Sequence, residues 1–326
     1  LPSEGFGYAT AVNDAGHIAY FTYCDCIGNE GNAAVVINDS GTYALVLSEN
    51  TSESSIDPMP LSINGIGSTA GYYVASYGPS VHEGNIAWSS SAATLYYGGA
   101  HKGGYAYAIN DDNVSVGQDI GPTGTFAVAY SGTYAKLNRA LLLPPKNTDW
   151  IGTATGINDA GEIVGYAKER AVRFFIGGYA QVLPVAAAGI STSAQAIDRR
   201  GDIVGNAGSQ AFLYRGGRTT YLPRPAGETA GNAVAYALNA TDEIVGDIVT
   251  STGQTAFLYA NGQAYDLNSL LPAHSGWQIT HAASINDQGQ IVGEGYYSGE
   301  GSSPVGFSMK PQPPNAPKFL IRRSSR

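Results

Sequence analysis

Five carboxylates stand where a reaction could use them. Asp119, Asp202, Asp242, Glu243 and Asp247 all lie beside short runs of strand-forming residues. Glycoside hydrolysis needs only two carboxyl groups facing each other across a groove. No spacing pairs any two of the five, however, and charged edge residues of an inert sheet would look the same. A serine hydrolase would carry Gly-x-Ser-x-Gly on a strand-to-helix turn, and that elbow is absent from the sequence. A lyase would set a Tyr or His base beside an Arg that neutralises a uronate. With 22 tyrosines in the chain, that pattern is met too easily to identify one. His17, His82, His101, His274 and His281 are scattered singly, without the close pairs expected of a zinc site with convergent ligands. They read as solvated loop residues. The sequence therefore assigns no catalytic residue, no metal site and no cofactor.

Other residues point to binding or to structure. Repeated Asn-Asp pairs offer oxygen to a calcium ion, but none has the Asp-x-Asp-x-Asp-Gly density of a dedicated loop. Recurrence at regular intervals is what a structural turn predicts. Tyr96-Tyr97 and Tyr296-Tyr297 could stack on sugars, although strand propensity accounts for most tyrosines equally well. In Cys24-Asp25-Cys26 an extended backbone puts both sulfurs on one face, so they can close a small ring. A metal half-site and bonds to another chain are the alternatives. Near the end, Lys318, Phe319, Leu320, Ile321, Arg322 and Arg323 form an apolar strand flanked by positive charge. That strand can close the fold or bind a partner, and closure within the chain is the favoured expectation.

The elements that must position these residues come from a repeat. Small residues, an apolar residue, Asn or Asp, a turn and a β-branched run ending in Gly recur with anchors at Asn13, Asn64, Asn110, Asn158, Asp198, Asn239 and Asn286. The mean spacing is about 45 residues, as expected of a propeller blade. Ile157–Gly165 and Ile285–Gly293 are the clearest copies, and the copy at Ile63-Asn64-Gly65 is the most degraded. Asn-Asp-x-Gly suits a type I turn followed by a residue at positive φ. No helical period is sustained. The pattern predicts an all-β, seven-bladed β-propeller of four-stranded antiparallel blades over residues 1–310, a Pro-rich linker at 311–317 and a basic tail at 318–326. Leu1-Pro2 resembles the Leu-Pro at the end of several repeats, so the start of the sequence reads as the stub of an outer strand. Ile157, Val164, Phe212, Leu258 and Ile291 should lie between blades.

Composition narrows the partners. The chain has 326 residues with 26 acidic against 17 basic side chains, a formal charge of -9. That balance disfavours nucleic acid, and no apolar run reaches the ~18 residues of a membrane span. The repeated Ala-x-x-Ile-Asn-Asp-x-Gly-x-Ile-Val-Gly phrase with its following Ala-Phe-Leu-Tyr resembles the bacterial "probable extracellular repeat, HAF" family. Leu267-Asn268-Ser269-Leu270-Leu271-Pro272 running to Trp277, and Leu137-Asn138-Arg139 running to Trp150, strengthen the likeness. The resemblance covers the fourth to seventh repeats best. It implies an exported bacterial protein, extracellular or at the cell surface after removal of a signal peptide, but no chemistry. The expected function is a non-catalytic propeller binding copies of itself or cell-surface and matrix components. A carbohydrate-active propeller, either a lectin or a polysaccharide lyase or hydrolase, is the alternative. For the cysteine pair, intact mass under non-reducing conditions should be two hydrogens below the reduced value. A dimer that collapses under reductant would show bonds between chains instead.

Overall fold

The computed structural model describes the chain apart from residues 1–6, 25–30, 39–40, 46–53, 78–79, 89–103, 122, 134–135, 252, 300–302, 312–318 and 324–326. Its elements are almost entirely strands, arranged as a β-propeller of mainly four-stranded antiparallel sheets. Each sheet is named here by its anchor. The Asn13 sheet holds β1 (Gly7–Val12), β2 (Ile18–Cys24), β3 (Gly31–Asn38) and β4 (Gly41–Leu45). The Asn64 sheet has three described strands, β5 (Ser54–Ile63), β6 (Thr69–Tyr77) and β7 (Ser80–Trp88). The Asn110 sheet follows with β8 (Gly104–Ile109), β9 (Ser115–Gly121), β10 (Gly124–Thr133) and β11 (Lys136–Leu141). The Asn158 sheet comprises β12 (Gly152–Ile157), β13 (Ile163–Ala167), β14 (Arg170–Phe175) and β15 (Gly178–Val182). In the Asp198 sheet are β16 (Thr192–Ile197), β17 (Ile203–Ala207), β18 (Gln210–Arg215) and β19 (Arg218–Tyr221). The Asn239 sheet consists of β20 (Asn232–Leu238), β21 (Ile244–Thr250), β22 (Gly253–Ala260) and β23 (Gln263–Asp266). The Asn286 sheet is β24 (Trp277–Ile285), β25 (Ile291–Tyr297), β26 (Val305–Pro311) and β27 (Phe319–Arg323).

One local geometry is copied at all seven anchors. The first strand stops at the apolar residue, and the anchor side-chain oxygen accepts the backbone N–H four residues on, as in Glu162 N to Asn158 Oδ1 at 2.9 Å. The third residue after the anchor then turns left-handed. Gly fills that place in five loops, while Asn113 (φ 57°) and Asp242 (φ 68°) fill the others. Asn and Asp tolerate that region better than other side chains, so the turn survives without glycine.

Each first strand also carries a bulge three residues before its anchor, where register shifts, as between Ala154 and Gly156. The bulge explains the glycine that ends the repeated Ile-Val-Gly run. A Cβ on Gly165 would lie 2.0 Å from the Thr153 carbonyl oxygen, and Gly71, Gly117, Gly205, Gly246 and Gly293 meet the same obstruction. Only the Asn13 sheet departs, with Tyr20 there.

Core lies between sheets. Val164 and Ala171 of one sheet pack with Ile197, Ile203 and Phe212 of the next, and Val204 and Leu213 pack with Ile244 and Phe257. Val292 of the Asn286 sheet packs with Ala9, Val12, Ile18 and Tyr20 of the Asn13 sheet, which closes the ring. All five expected interior positions are buried. β27 pairs with β26 from Pro311↔Phe319 to Phe307↔Arg323, and Ile321 packs on that sheet's core. Lys318, Leu1 and Pro2 lie outside the described residues, as does Cys26; Cys24 is the last residue of β2.

Two glycines separate the two backbone demands. Gly165→Ala should cost roughly 3–4 kcal/mol, because the first strand's carbonyl must move. Gly161→Ala, with φ 76° and open space around it, should cost about 1 kcal/mol. Chemical denaturation of both variants checks the order; equal losses would show that the close approach is not limiting.

Candidate functional site

The anchors meet at the central axis. Asn13 Nδ2 donates to Asn64 O at 2.8 Å, Asn64 to Asn110 O at 2.8 Å, Asn110 to Asn158 O at 3.2 Å and Asn158 to Asp198 O at 2.9 Å. Asn239 donates to Asn286 O at 2.9 Å, and Asn286 returns to Asn13 O at 2.9 Å. Asp198 has no amide and breaks the circle. Its carboxylate instead holds Arg200 Nε at 3.0 Å, and Arg200 reaches across to Asp242 in the next sheet. Arg215 completes the bridge to Asp202 at 2.9 Å and to Asp242 at 2.7 Å. Arg215's hydrogen bond, joined by Arg200's, holds the Asp242 carboxyl below its usual range against a small opposing effect of burial.

The residues after the anchors form a second, partial ring. Gly65 N donates to Asp111 at 2.6 Å, Asp111 N to Asp159 at 2.9 Å, Ala240 N to Asp287 at 2.6 Å and Asp287 N to Asp14 at 2.7 Å. Anchors, their successors and the preceding apolar residues surround a funnel of about 300 Å³. Its polar groups are largely engaged with one another. Among the described residues no group of three His, Cys, Asp or Glu side chains is placed to hold a metal ion.

A second belt lies five residues before each anchor, roughly 16 Å along the first strand at ~3.3 Å per residue. There the first and second strands place Tyr8 opposite Phe21, Met59 opposite Tyr72, Tyr105 opposite Gln118 and Thr153 opposite Tyr166. The circuit continues with Ser193 opposite Asn206, Val234 opposite Asp247 and His281 opposite Glu294. Neighbouring sheets touch at this level: Tyr72 packs edge-on to Tyr105 at 4.7 Å, and Thr153 Oγ1 donates to Gln118 at 2.7 Å. At the equivalent place His281 Nδ1 meets Asp247 Oδ2 at 2.5 Å.

Asp247 is wholly buried and also accepts Gln254 Nε2 at 2.5 Å and Ala282 N at 3.1 Å. Burial works against the His281 imidazolium, but the Asp247 hydrogen bond and charge, with Glu294 adding, carry it above its ordinary value. Burial pushes the Glu294 carboxyl up. It also pushes the Tyr236 hydroxyl to about 12, where that ring packs edge-on to His281 at 5.2 Å.

The five carboxylates singled out in the sequence are not brought together as a set; only Asp202 and Asp242 share partners, the two arginines of the bridge. Asp119 is buried on β9, where it accepts Tyr130 and Arg139; burial and that bond push the Tyr130 hydroxyl far up. Asp202 and Asp242 lie in the arginine bridge, and Glu243 accepts Asn239 Nδ2 at 2.7 Å. Asp247 alone meets a histidine. The expectation that His281 sits in a solvated loop is corrected: it stands on β24, part-buried against Asp247. His17 contacts its anchor Asn13 at 3.3 Å, and His274 is an exposed turn residue at φ 59°. His82 stands on β7, paired opposite Ala75, and not in the loop expected of it; His101, Tyr96 and Tyr97 lie outside the described residues. Tyr296 is exposed, and Tyr297 packs on Trp277 at 5.2 Å. The Leu-Asn-Ser-Leu-Leu-Pro motif is structural, since Asn268 bonds both N–H and C=O of Ile279.

These features define a β-propeller whose axis is ringed by hydrogen-bonded loops. Compared with protein-family models and with characterised protein sequences, the chain matches none.

Because His281 is raised in the folded chain, its contribution is complete below about pH 6.5 and is lost as pH rises through the folded value. His281→Gln should therefore cost about 3 kcal/mol at about pH 5.5 and less at about pH 8.5. Thermal melts across that range check the slope; a loss independent of pH would show that the ring acts only by packing.

Proposed function

We propose that the chain is a seven-bladed β-propeller acting as a non-catalytic interaction scaffold outside the cell. The Asn64 sheet, with three described strands, has the bulge of all six four-stranded sheets and the facing glycine of five of them, and its amide joins the same ring. That equivalence supports counting it as a blade. The resemblance of the repeat to extracellular HAF repeats supports export and a place at the cell surface or in the matrix.

One observation carries the non-catalytic reading. Each carboxylate that the sequence offered for chemistry is held by a partner within or between sheets, from Asp119 with Arg139 to Asp247 with His281. A catalytic pair would instead present two carboxyl groups to one cleft. The terminal strand is seated in its own sheet through β27, so the scaffold reading rests on the faces of the propeller rather than on donation of that strand.

The test is incubation with a panel of acidic and neutral polysaccharides, followed by double-bond absorbance and reducing-end assays. No product is expected above the blank, while affinity electrophoresis against the same panel measures retention. New double bonds or reducing ends would overturn the scaffold reading.

A further inference from the structure

The belt is divided by chemistry. Ser193, Asn206, Asp247, His281 and Glu294 make one arc polar and acidic, whereas the other arc is aromatic over successive sheets. Its centre is Tyr72, Tyr105, Tyr107 and Tyr166, contributed by the Asn64, Asn110 and Asn158 sheets. All four rings are half-buried, so none is sealed in the core. Tyr72 and Tyr105 meet edge to face at 4.7 Å, and Tyr105 and Tyr107 lie nearly parallel with centroids 5.9 Å apart. Tyr107 occupies the bulge of its strand, between Ala106 and Ala108. It is close enough to the other three that each, after burial, pushes its hydroxyl up, to about 12. Four phenol rings thus gather at one place, and the Tyr107 hydroxyl among them stays a neutral hydrogen-bonding group at physiological pH. Gln118 stands directly opposite Tyr105 and uses its Oε1 to accept Thr153, which leaves the carboxamide N–H groups turned away from that bond.

We infer that this arc, Tyr72, Tyr105, Tyr107 and Tyr166 with Gln118, is a binding site for an uncharged oligosaccharide. Phenol faces pack against the C–H surface of a pyranose, while the hydroxyls and a side-chain amide match its polar rim. Among the described residues no Lys, Arg or His is among the groups acting on Tyr107, so the described arc supplies no counter-ion to a uronate. With Asp247 paired to His281, Glu294 is the remaining acid of the opposite arc and disfavours an acidic chain further. A quaternary ammonium ion would also favour ring faces, but rings that each carry a hydroxyl, beside the Gln118 amide, suit a polyol. The inference rests on the scaffold reading and adds to it the ligand class and the place where it binds.

The experiment is calorimetric titration of the whole chain with cellohexaose, maltohexaose and chitohexaose, with a galacturonate hexamer and tetramethylammonium as comparators. At least one neutral hexasaccharide should bind, and Tyr105→Ala and Tyr107→Ala should each weaken it at least about tenfold, the scale of a lost stacking contact. Tyr105→Phe and Tyr107→Phe preserve ring packing and guard against misfolding; they should weaken binding by a smaller factor with an unchanged melt. Tyr296→Ala, outside the arc, should leave affinity unchanged. Failure of all three neutral sugars, binding of tetramethylammonium or the galacturonate hexamer in their place, or full affinity in folded Tyr107→Ala would overturn the site. Cleavage of a bound hexasaccharide with the tyrosine dependence intact would overturn only the non-catalytic scaffold.

Discussion

A single hydrogen bond sets the geometry on which the other contacts rest: an asparagine amide donating to the anchor carbonyl of the next sheet. The same side chain works in two directions. Its oxygen closes its own turn, and its nitrogen reaches sideways, so the shape of each loop and the angle between sheets are settled by one residue. Buried amides left without partners are costly, which makes the arrangement cooperative around the axis. Misplacing one sheet strands the amide behind it and the carbonyl ahead of it.

The one departure from asparagine shows how strong that constraint is. At Asp198 the amide is missing, and an ion-pair network of Arg200, Arg215, Asp202 and Asp242 spans the same pair of sheets. Asp198 and Asp202 are buried and Asp242 is half-exposed, so the network runs from the axis toward solvent. It replaces a neutral contact with charges whose strength depends on salt. The joint between the Asp198 and Asn239 sheets is thus chemically unlike the other six.

Much of the fold was legible in residues. The Asn-Asp-x-Gly phrase carried the turn, and Ile157, Phe212 and Ile291 carried the core, because those demands fall on side chains within a few positions. The bulge at Tyr107, Thr155 and Tyr236 was not legible, since no side chain requires it; its trace was the glycine on the facing strand, Gly165 or Gly246. The Asp247–His281 pair was also missed, because its members lie 34 residues apart in different repeats. Aligning repeats by their anchors would have found it: Asp247 follows the recurrent glycine of one unit, and His281 stands five before the anchor of the next. The arginine bridge was hidden for the same reason.

Every sheet is one uninterrupted stretch of chain, and the Asn286 sheet takes all its described strands from the end of the sequence. It meets the Asn13 sheet through Val12 N on Ser284 Oγ, Gln288 on the Asp14 carbonyl, the anchor amide and packing around Val292, with no strand shared between them among the described residues. The joint where the ring begins and ends is therefore built like its neighbours. Such a circle has no privileged opening. The polypeptide could be cut between any two repeats and its old ends joined without asking a strand to change sheets, and a repeat is a unit that duplication can copy whole.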